Sequence, residues 1–382
     1  MNKSYEAADA NRKPQWTGSR DEFLEAVNKI CYDEEEAEQY LFDLKYPNGF
    51  RCPKCGHTHY YRIVRERKAG KVHHACEPKH HVVFECAECG CQTSLTAGTV
   101  MHQSKLSLTV WFQTIRLFCS CKTGVSTKTV ARFTGISYHA ARLLTRKIKT
   151  AMEESNANAP LEETPDTVEI DMFTIGGVAK GGKRGRGAAK KVNVEMMVAS
   201  KMVEVATPSG HLTQEKVLAV KTRQIRSETA EELDDFLSCW LDPNAATVIR
   251  GDESPANKKL GAMGWNMSLM NSTKVKKVNY LEQTDHFISN LNANIQGAHH
   301  GIGLQFLQME LAELEWSHRN REKKNIHKMN ELVGDLLLCG ARPRRYMADR
   351  FKQIQSNGNI LPDTPLAVCE RWSGSLNAAV PA

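Results

Sequence analysis

Two pairs of cysteines have the spacing of metal knuckles: Cys52-Pro53-Lys54-Cys55-Gly56 and Cys86-Ala87-Glu88-Cys89-Gly90, with thirty residues between Cys55 and Cys86. Thiolates three positions apart reach adjacent corners of a tetrahedron, and the glycine that follows lets the turn present backbone amides to the sulfurs. Two knuckles complete four-coordination and leave no position for water. A zinc ion (Zn2+) on Cys52, Cys55, Cys86 and Cys89 is therefore expected to be structural, holding a small module that lacks a large core. Cys76, His80, His81 and Cys91 lie close enough along the chain to compete as ligands, but neither knuckle needs them. Seven of the twelve cysteines fall in the first quarter of the chain. With no secretory signal, such clustering reads as metal binding and not as a disulfide framework.

Carboxylates offer a second chemistry. Asp171 closes the strand-like run Thr167–Ile170, and Asp252 follows the run Thr247–Arg250. An aspartate at a strand end either makes an ordinary turn or serves as a hard oxygen ligand for a divalent cation. Two metals about 3.5 to 4 Å apart stabilise both the entering and the leaving oxygen of an in-line displacement at a phosphodiester. Glu313, on a later helix-like segment, is a further carboxylate able to approach such a site. Asp166, Asp234, Asp235, Asp242 and Glu253 read as turn or surface acids.

Positive charge gathers in two places. Residues 178 to 191, VAKGGKRGRGAAKK, carry Lys180, Lys183, Arg184, Arg186, Lys190 and Lys191 among glycines that let backbone approach phosphates closely. Residues 126 to 151 read as a helix to Thr134, a turn at Gly135 and a second helix opening at Ser137, the helix-turn-helix rhythm. Arg142, Arg146, Lys147 and Lys149 on that second helix suit a groove of DNA. A helical hairpin with a solvated basic face has the same pattern.

Around these residues the chain divides by texture. A helical lead-in and the zinc ribbon occupy 20–104, with strand-like YYRIV and HVVFEC around the cysteines. The helix-turn-helix region covers 105–155. NANAPLEETPD, 156–166, holds two prolines and no periodic apolar signal, and is taken as a linker. From 167 to 340 the strand-like runs TVEIDMFTI, NVEMMVAS, KVLAVKTRQI and ATVIRGD alternate with helical patterns, the mark of an α/β layer. A tail, 341–382, follows. The chain has 382 residues, 41% hydrophobic and 25% charged, with a net charge of +7, so wholesale disorder is excluded and a polyanionic partner is permitted. No run approaches the roughly 18 apolar residues of a membrane span, and MNKSYEAADANRKPQW has no apolar core. A cytoplasmic, nucleoid-associated protein is expected, with no membrane partner and no small-molecule substrate.

At this point the motifs resemble a known family. FECAECGCQTSLTAGTVMHQSKLSLTVWF, then the helix-turn-helix, EIDMFTIGG, DHFISNLNANIQGAHHGIG and ELEWSHRNR, in that order, resemble bacterial insertion-sequence transposases with an N-terminal zinc ribbon and a DDE-type catalytic domain. The resemblance implies an RNase H-like α/β fold, a mixed sheet with flanking helices, behind the ribbon and the helix-turn-helix. It also implies Mg2+ or Mn2+ as cofactor, with Asp171 and Asp252 as the first two acidic ligands. In this subgroup Asn takes the place of the third acid and is closely followed by Lys. Asn290 matches, whereas Asn292 stands where the Lys would be, and Met172 stands where the family commonly has Glu. His299 and His300 match the Gly-x-His-His-Gly motif and either contact the substrate backbone, act catalytically near the metals, or hold the turn by hydrogen bonds. The implied activity is strand cleavage and transfer at terminal inverted repeats on double-stranded DNA, by a homo-oligomer that joins two element ends. The departures at 172 and 292 favour a rival, a catalytically impaired or repurposed DNA-binding protein derived from such a transposase.

Overall fold

The computed structural model describes residues 4–5, 20–67, 79–122, 124–176, 191–207, 210–243, 245–270, 280–299, 302–341 and 344–356. In chain order the elements begin with β1 (Ser4–Tyr5), α1 (Arg20–Tyr32), α2 (Glu34–Lys45), β2 (Tyr60–Arg67), β3 (Lys79–Cys86), β4 (Gln92–Thr93) and α3 (Leu108–Ser120). Next come α4 (Thr127–Thr134) and α5 (Tyr138–Asn158), then β5 (Thr167–Gly176), β6 (Lys191–Thr207), β7 (Gly210–Ile225), α6 (Ala230–Ser238) and β8 (Val248–Asp252). The remainder is α7 (Pro255–Ala262), β9 (Met267–Met270), α8 (Glu282–Asn294), α9 (Leu307–Arg319), α10 (Asn325–Leu338) and α11 (Arg344–Ser356). Two compact units result, one drawn from Met1–Ser120, Ala131–Ala140 and Lys324–Pro343, the other from Cys121–Val130, Ala141–Lys323 and Arg344–Ala382. None of the described helices is long and apolar enough to cross a membrane.

In the first unit the helical lead-in is two helices, because Asp33 interrupts it. Its backbone is extended and its carboxylate accepts from the amides of Glu35 at 2.9 Å and Glu36 at 3.2 Å, capping α2. β2 and β3 pair antiparallel from Tyr60↔Cys86 onward, so the second knuckle sits at the end of a hairpin. Beneath it Phe42, Tyr46, Phe50, Tyr60 and Phe84 pack ring on ring, with the Phe50–Tyr60 centroids 4.9 Å apart. α10 closes this unit from far along the chain. Its buried stripe of Ile326, Met329, Leu332, Val333 and Leu336 lies on α2 and α3, and Tyr40 donates its hydroxyl to Asn330 at 2.5 Å. The sequence reading left 324–340 with the catalytic domain, since periodicity shows that a helix has an apolar face without showing what covers it.

The second unit is built on a sheet of order β7-β6-β5-β8-β9. β5, β6 and β7 are antiparallel neighbours, while β8 and β9 add parallel to β5, the mixed pattern of an RNase H-like fold. One face buries Val168, Ile170, Met197 and Ala199 against Leu233, Phe236 and Leu237 of α6 and Leu260 of α7. The other buries Val194, Met196 and Val198 under Phe287 and Leu291 of α8 and Leu307 and Leu311 of α9. Central strands covered on both faces read as nearly continuous apolar runs, so any charged residue among them stands out.

Two expected boundaries fall differently. Residues 156–166, read as a linker, are packed into the second unit: Asn156 donates to the Ala312 carbonyl at 2.8 Å, and the Lys221 ammonium caps the carbonyls of Asn156 and Ala159. Prolines marked a turn there and not a boundary. The tail contributes a helix, α11, whose Phe351 packs edge-on to Phe306 and whose Arg350 pairs with Glu153 at 2.6 Å.

Candidate active site

The ligand sulfurs of Cys52, Cys55, Cys86 and Cys89 all lie within 4.8 Å of one another. Cys52–Cys89, Cys55–Cys86 and Cys55–Cys89 are separated by 3.6, 3.5 and 3.4 Å. A tetrahedron with Zn–S bonds of about 2.3 Å requires roughly 3.8 Å between sulfurs, so the set fits zinc with little adjustment. Gly56 (φ +75°) and Gly90 (φ +66°) take the left-handed turns that close each knuckle. Cys91 lies outside the four; its carbonyl accepts from the amide of Cys86.

In the second unit the parallel register of β5 and β8 pairs Glu169 with Arg250. Two residues further along each strand stand Asp171 and Asp252, side by side at the end of β8 and on one face. Asp252 is anchored by the loop that follows it: the amide of Ser254 and the Asn257 side chain both donate to its Oδ1, at 3.1 and 2.8 Å. Asn257 comes this close because residue 251 is glycine. A Cβ there would lie 2.9 Å from Asn257 Nδ2 and 3.3 Å from Ile170 Cγ1. Gly251→Ala is expected to push Asn257 off Asp252 and to lower stability by about 1–3 kcal/mol, as measured by urea denaturation.

The two aspartates line a shallow cleft of about 230 Å³, counting the solvent at its mouth, together with Met172, Glu195, Glu228, Leu233 and Asn257. Sequence reading missed two of its carboxylates. Glu195 on β6 stands directly opposite Met172 on β5 and is 2% exposed. Its Oε2 has no hydrogen-bond partner. Burial first, and then the charges of Asp171, Glu228 and Asp252, hold its carboxyl well above the ordinary carboxylate range. Its other cross-strand neighbour, Arg223, is engaged elsewhere, donating to Asp235 at 2.7 Å and to the Glu232 carbonyl. A glutamate in the middle of an apolar strand was the signal that could have found it. By strand alternation Glu195 shares the sheet face of Met172, toward α6, whereas Asp171 and Asp252 share the face of Glu169, toward α8, so the pair suited to a hard divalent cation is Asp171 and Asp252.

The helix that carries Asn290 is fixed from beneath. No side chain within α8 caps its start; instead Glu169, buried in β5, accepts from the amides of Gln283 and Thr284, each at 2.9 Å. Asn290 is exposed, bonded to His286 one turn earlier at 3.0 Å, and is not among the residues lining the cleft. Asn292 is also exposed. His299 ends a π-helical turn, Ile295–His299, while His300 lies outside the described residues. Glu313 is turned into the core, where its Oε2 meets the Lys149 ammonium at 2.8 Å and its Oε1 accepts from the Val125 amide at 3.1 Å. It is therefore occupied away from the cleft.

The basic residues separate in the same way. On α5, Arg142 is exposed, as are Tyr138 and His139 in the turn before it. Arg146 is held between the rings of Phe306 and Phe351, 3.8 and 4.6 Å from their centroids. Lys147 and Lys149 are buried, and Lys149 is neutralised by Glu310 and Glu313. Neither ammonium is presented to a phosphate, because both lie toward the side of α5 that carries Leu144, Ile148 and Met152 into the core. Lys191 opens β6, half-buried, whereas Lys180, Lys183, Arg184, Arg186 and Lys190 lie outside the described residues.

Comparison with known proteins adds two matches. Residues 32–93, which contain all four cysteines, match the model of the transposase zinc-ribbon domain. Residues 163–318, which contain every residue of the carboxylate cleft, match that of the ISXO2-like transposase domain. No curated protein matches the chain.

Proposed function

The chain belongs to the insertion-sequence transposases with an N-terminal zinc ribbon, and on that footing we propose that it binds the terminal inverted repeats of its element and cuts and joins their strands with a divalent metal. The observation that carries this reading is the adjacency of Asp171 and Asp252 on neighbouring parallel strands at a solvent-open cleft. Both are oxygen donors, and Asn257 and Ser254 hold one of them in place. A bound Mg2+ or Mn2+ would supply the charge that stabilises the entering and leaving oxygens. In the first step water oxygen bonds to phosphorus while the bond from phosphorus to the 3′ oxygen breaks, freeing a 3′ hydroxyl. In the second that hydroxyl oxygen bonds to a phosphorus of the target strand while the bond from that phosphorus to the target's own 3′ oxygen breaks, leaving a 3′ hydroxyl on the target. The exposed start of α5, with Tyr138, His139 and Arg142, is the part of the helix-turn-helix available to DNA. The basic segment 178–191 would hold the backbone near the cleft. Joining two ends calls for a dimer or larger assembly on DNA.

One observation favours the rival, an impaired or repurposed DNA-binding protein: Asn290 is exposed and its side-chain amide is engaged by His286 one turn earlier. A labelled duplex carrying an element end, incubated with full-length protein and Mn2+, separates the two. Wild type is expected to give nicked and strand-transfer products that Asp171→Ala does not. Equal background products from both would sink the enzyme reading.

A further inference from the structure

The loop that joins β8 to α7 ties down one oxygen of Asp252 and leaves the other. Both donors that reach the carboxylate, the Ser254 amide at 3.1 Å and the Asn257 side chain at 2.8 Å, end on Oδ1. Among the described residues none donates to Oδ2. The hold is rigid at its base, because Ser254 caps α7 by accepting from the Asn257 amide at 3.2 Å, and Asn257 Nδ2 also reaches the Asp252 carbonyl at 3.2 Å. Asn257 is 5% exposed, and its own Oδ1 has no hydrogen-bond partner. An apolar side chain would fill that place without an orphaned acceptor, so what the carboxamide contributes there is its bond to Asp252.

We propose that Asn257 sets the metal selectivity of the centre: by occupying Oδ1 it limits Asp252 to one ligating oxygen, Oδ2, and so favours Mg2+ or Mn2+ over Ca2+. The inference rests on the reading that Asp171 and Asp252 hold a divalent metal. Mg2+ demands a compact, near-octahedral shell, whereas Ca2+ takes roughly six to eight oxygens at longer distances and gains from carboxylates that give it both of theirs. Mn2+ shares the octahedral habit on oxygen ligands. Asp252 cannot open to a two-oxygen grip without losing the bonds from Ser254 and Asn257, so the penalty falls on the larger ion. Asn257 acts through Asp252 and is a positioning residue.

The test is cation binding to full-length protein without DNA. Mn2+ binding is read from the loss of the free Mn2+ resonance, and Ca2+ binding from its displacement of bound Mn2+. Wild type is expected to hold Mn2+ more tightly than Ca2+, and Asp171→Asn to lose Mn2+. Asn257→Leu, which keeps the branched shape and removes the donor, is expected to lower the ratio of Mn2+ to Ca2+ affinity about tenfold, the size of effect usual for a group that orients a metal ligand. If Asn257→Leu keeps the wild-type ratio, whether both affinities hold or fall together, the selectivity role is overturned and the metal reading stands on Asp171→Asn. A wild type that holds Ca2+ as tightly as Mn2+ overturns it too. If wild type shows no Mn2+ binding that Asp171→Asn removes, both readings fall. Should Asn257→Leu not fold, Gly251→Ala displaces the same carboxamide from the strand side. It is expected to lower the ratio in the same direction, and an unchanged ratio overturns the assignment.

Discussion

Chelation of zinc from the purified protein is expected to unfold the ribbon and expose Cys52, Cys55, Cys86 and Cys89 to a thiol reagent. The hairpin they terminate has few other supports: its buried contents are a handful of aromatic rings, and β4 is two residues long. Structural zinc in ribbon-sized modules contributes roughly 10–16 kcal/mol of apparent binding free energy, which is folding free energy for a module of this size. Metal analysis should find one zinc per chain in wild type and none in Cys52→Ser, with the far-ultraviolet dichroism of the ribbon lost. Cys91→Ser, outside the four-sulfur set, should keep both. Full zinc content in Cys52→Ser would defeat the assignment.

Replacing Lys149 by Met is expected to cost about 3–5 kcal/mol, because it strands two buried carboxylates. The ammonium lies 2.7 Å from both oxygens of Glu310 and 2.8 Å from Glu313, and its side chain is 4% exposed. Burial alone would lower its pKa; Glu313 and Glu310 outweigh that and hold it above the ordinary lysine value of 10.5. The sign follows from linkage. The contribution is complete below about 10.5 and is lost only as pH climbs through the raised value of the folded protein, so near neutrality this group contributes in full and adds no pH dependence to stability. Adding Glu310→Leu and Glu313→Gln to Lys149→Met should recover most of the loss, Gln keeping the acceptor for the Val125 amide. A denaturation midpoint unchanged in the single variant would show that the three groups are not an ion cluster.

What could be read in the sequence was whatever is local. Period and turn chemistry placed β5 and β8, the start of α5 at Ser137, whose hydroxyl accepts from the Ala140 amide, and the two knuckles. Asp252 does end its strand as the pattern suggested, whereas Asp171, read as a strand end, lies in the middle of β5, because the strand continues through Met172–Gly176 along its pairing with β6. Glu195 was not found, since its meaning lies in the register that sets it against Met172, and neither segment carries that information alone. The same register changes the sense of Met172: the carboxylate that the family resemblance puts at 172 has a counterpart across the ladder. On α5 a closer count would have succeeded. Ala141, Leu144, Ile148 and Met152 mark the inward face, and Thr145 and Lys149 follow Ala141 at four-residue steps along it.

The return of α10 to the first unit bears on the genetics of the element. That unit is closed by residues 325–338, so a gene interrupted between α3 and α10 yields a product whose α2 and α3 faces stay bare. Such fragments carry the cysteine knuckles, yet lack the helix that completes the unit holding them. Truncated copies should therefore be cleared as misfolded chains.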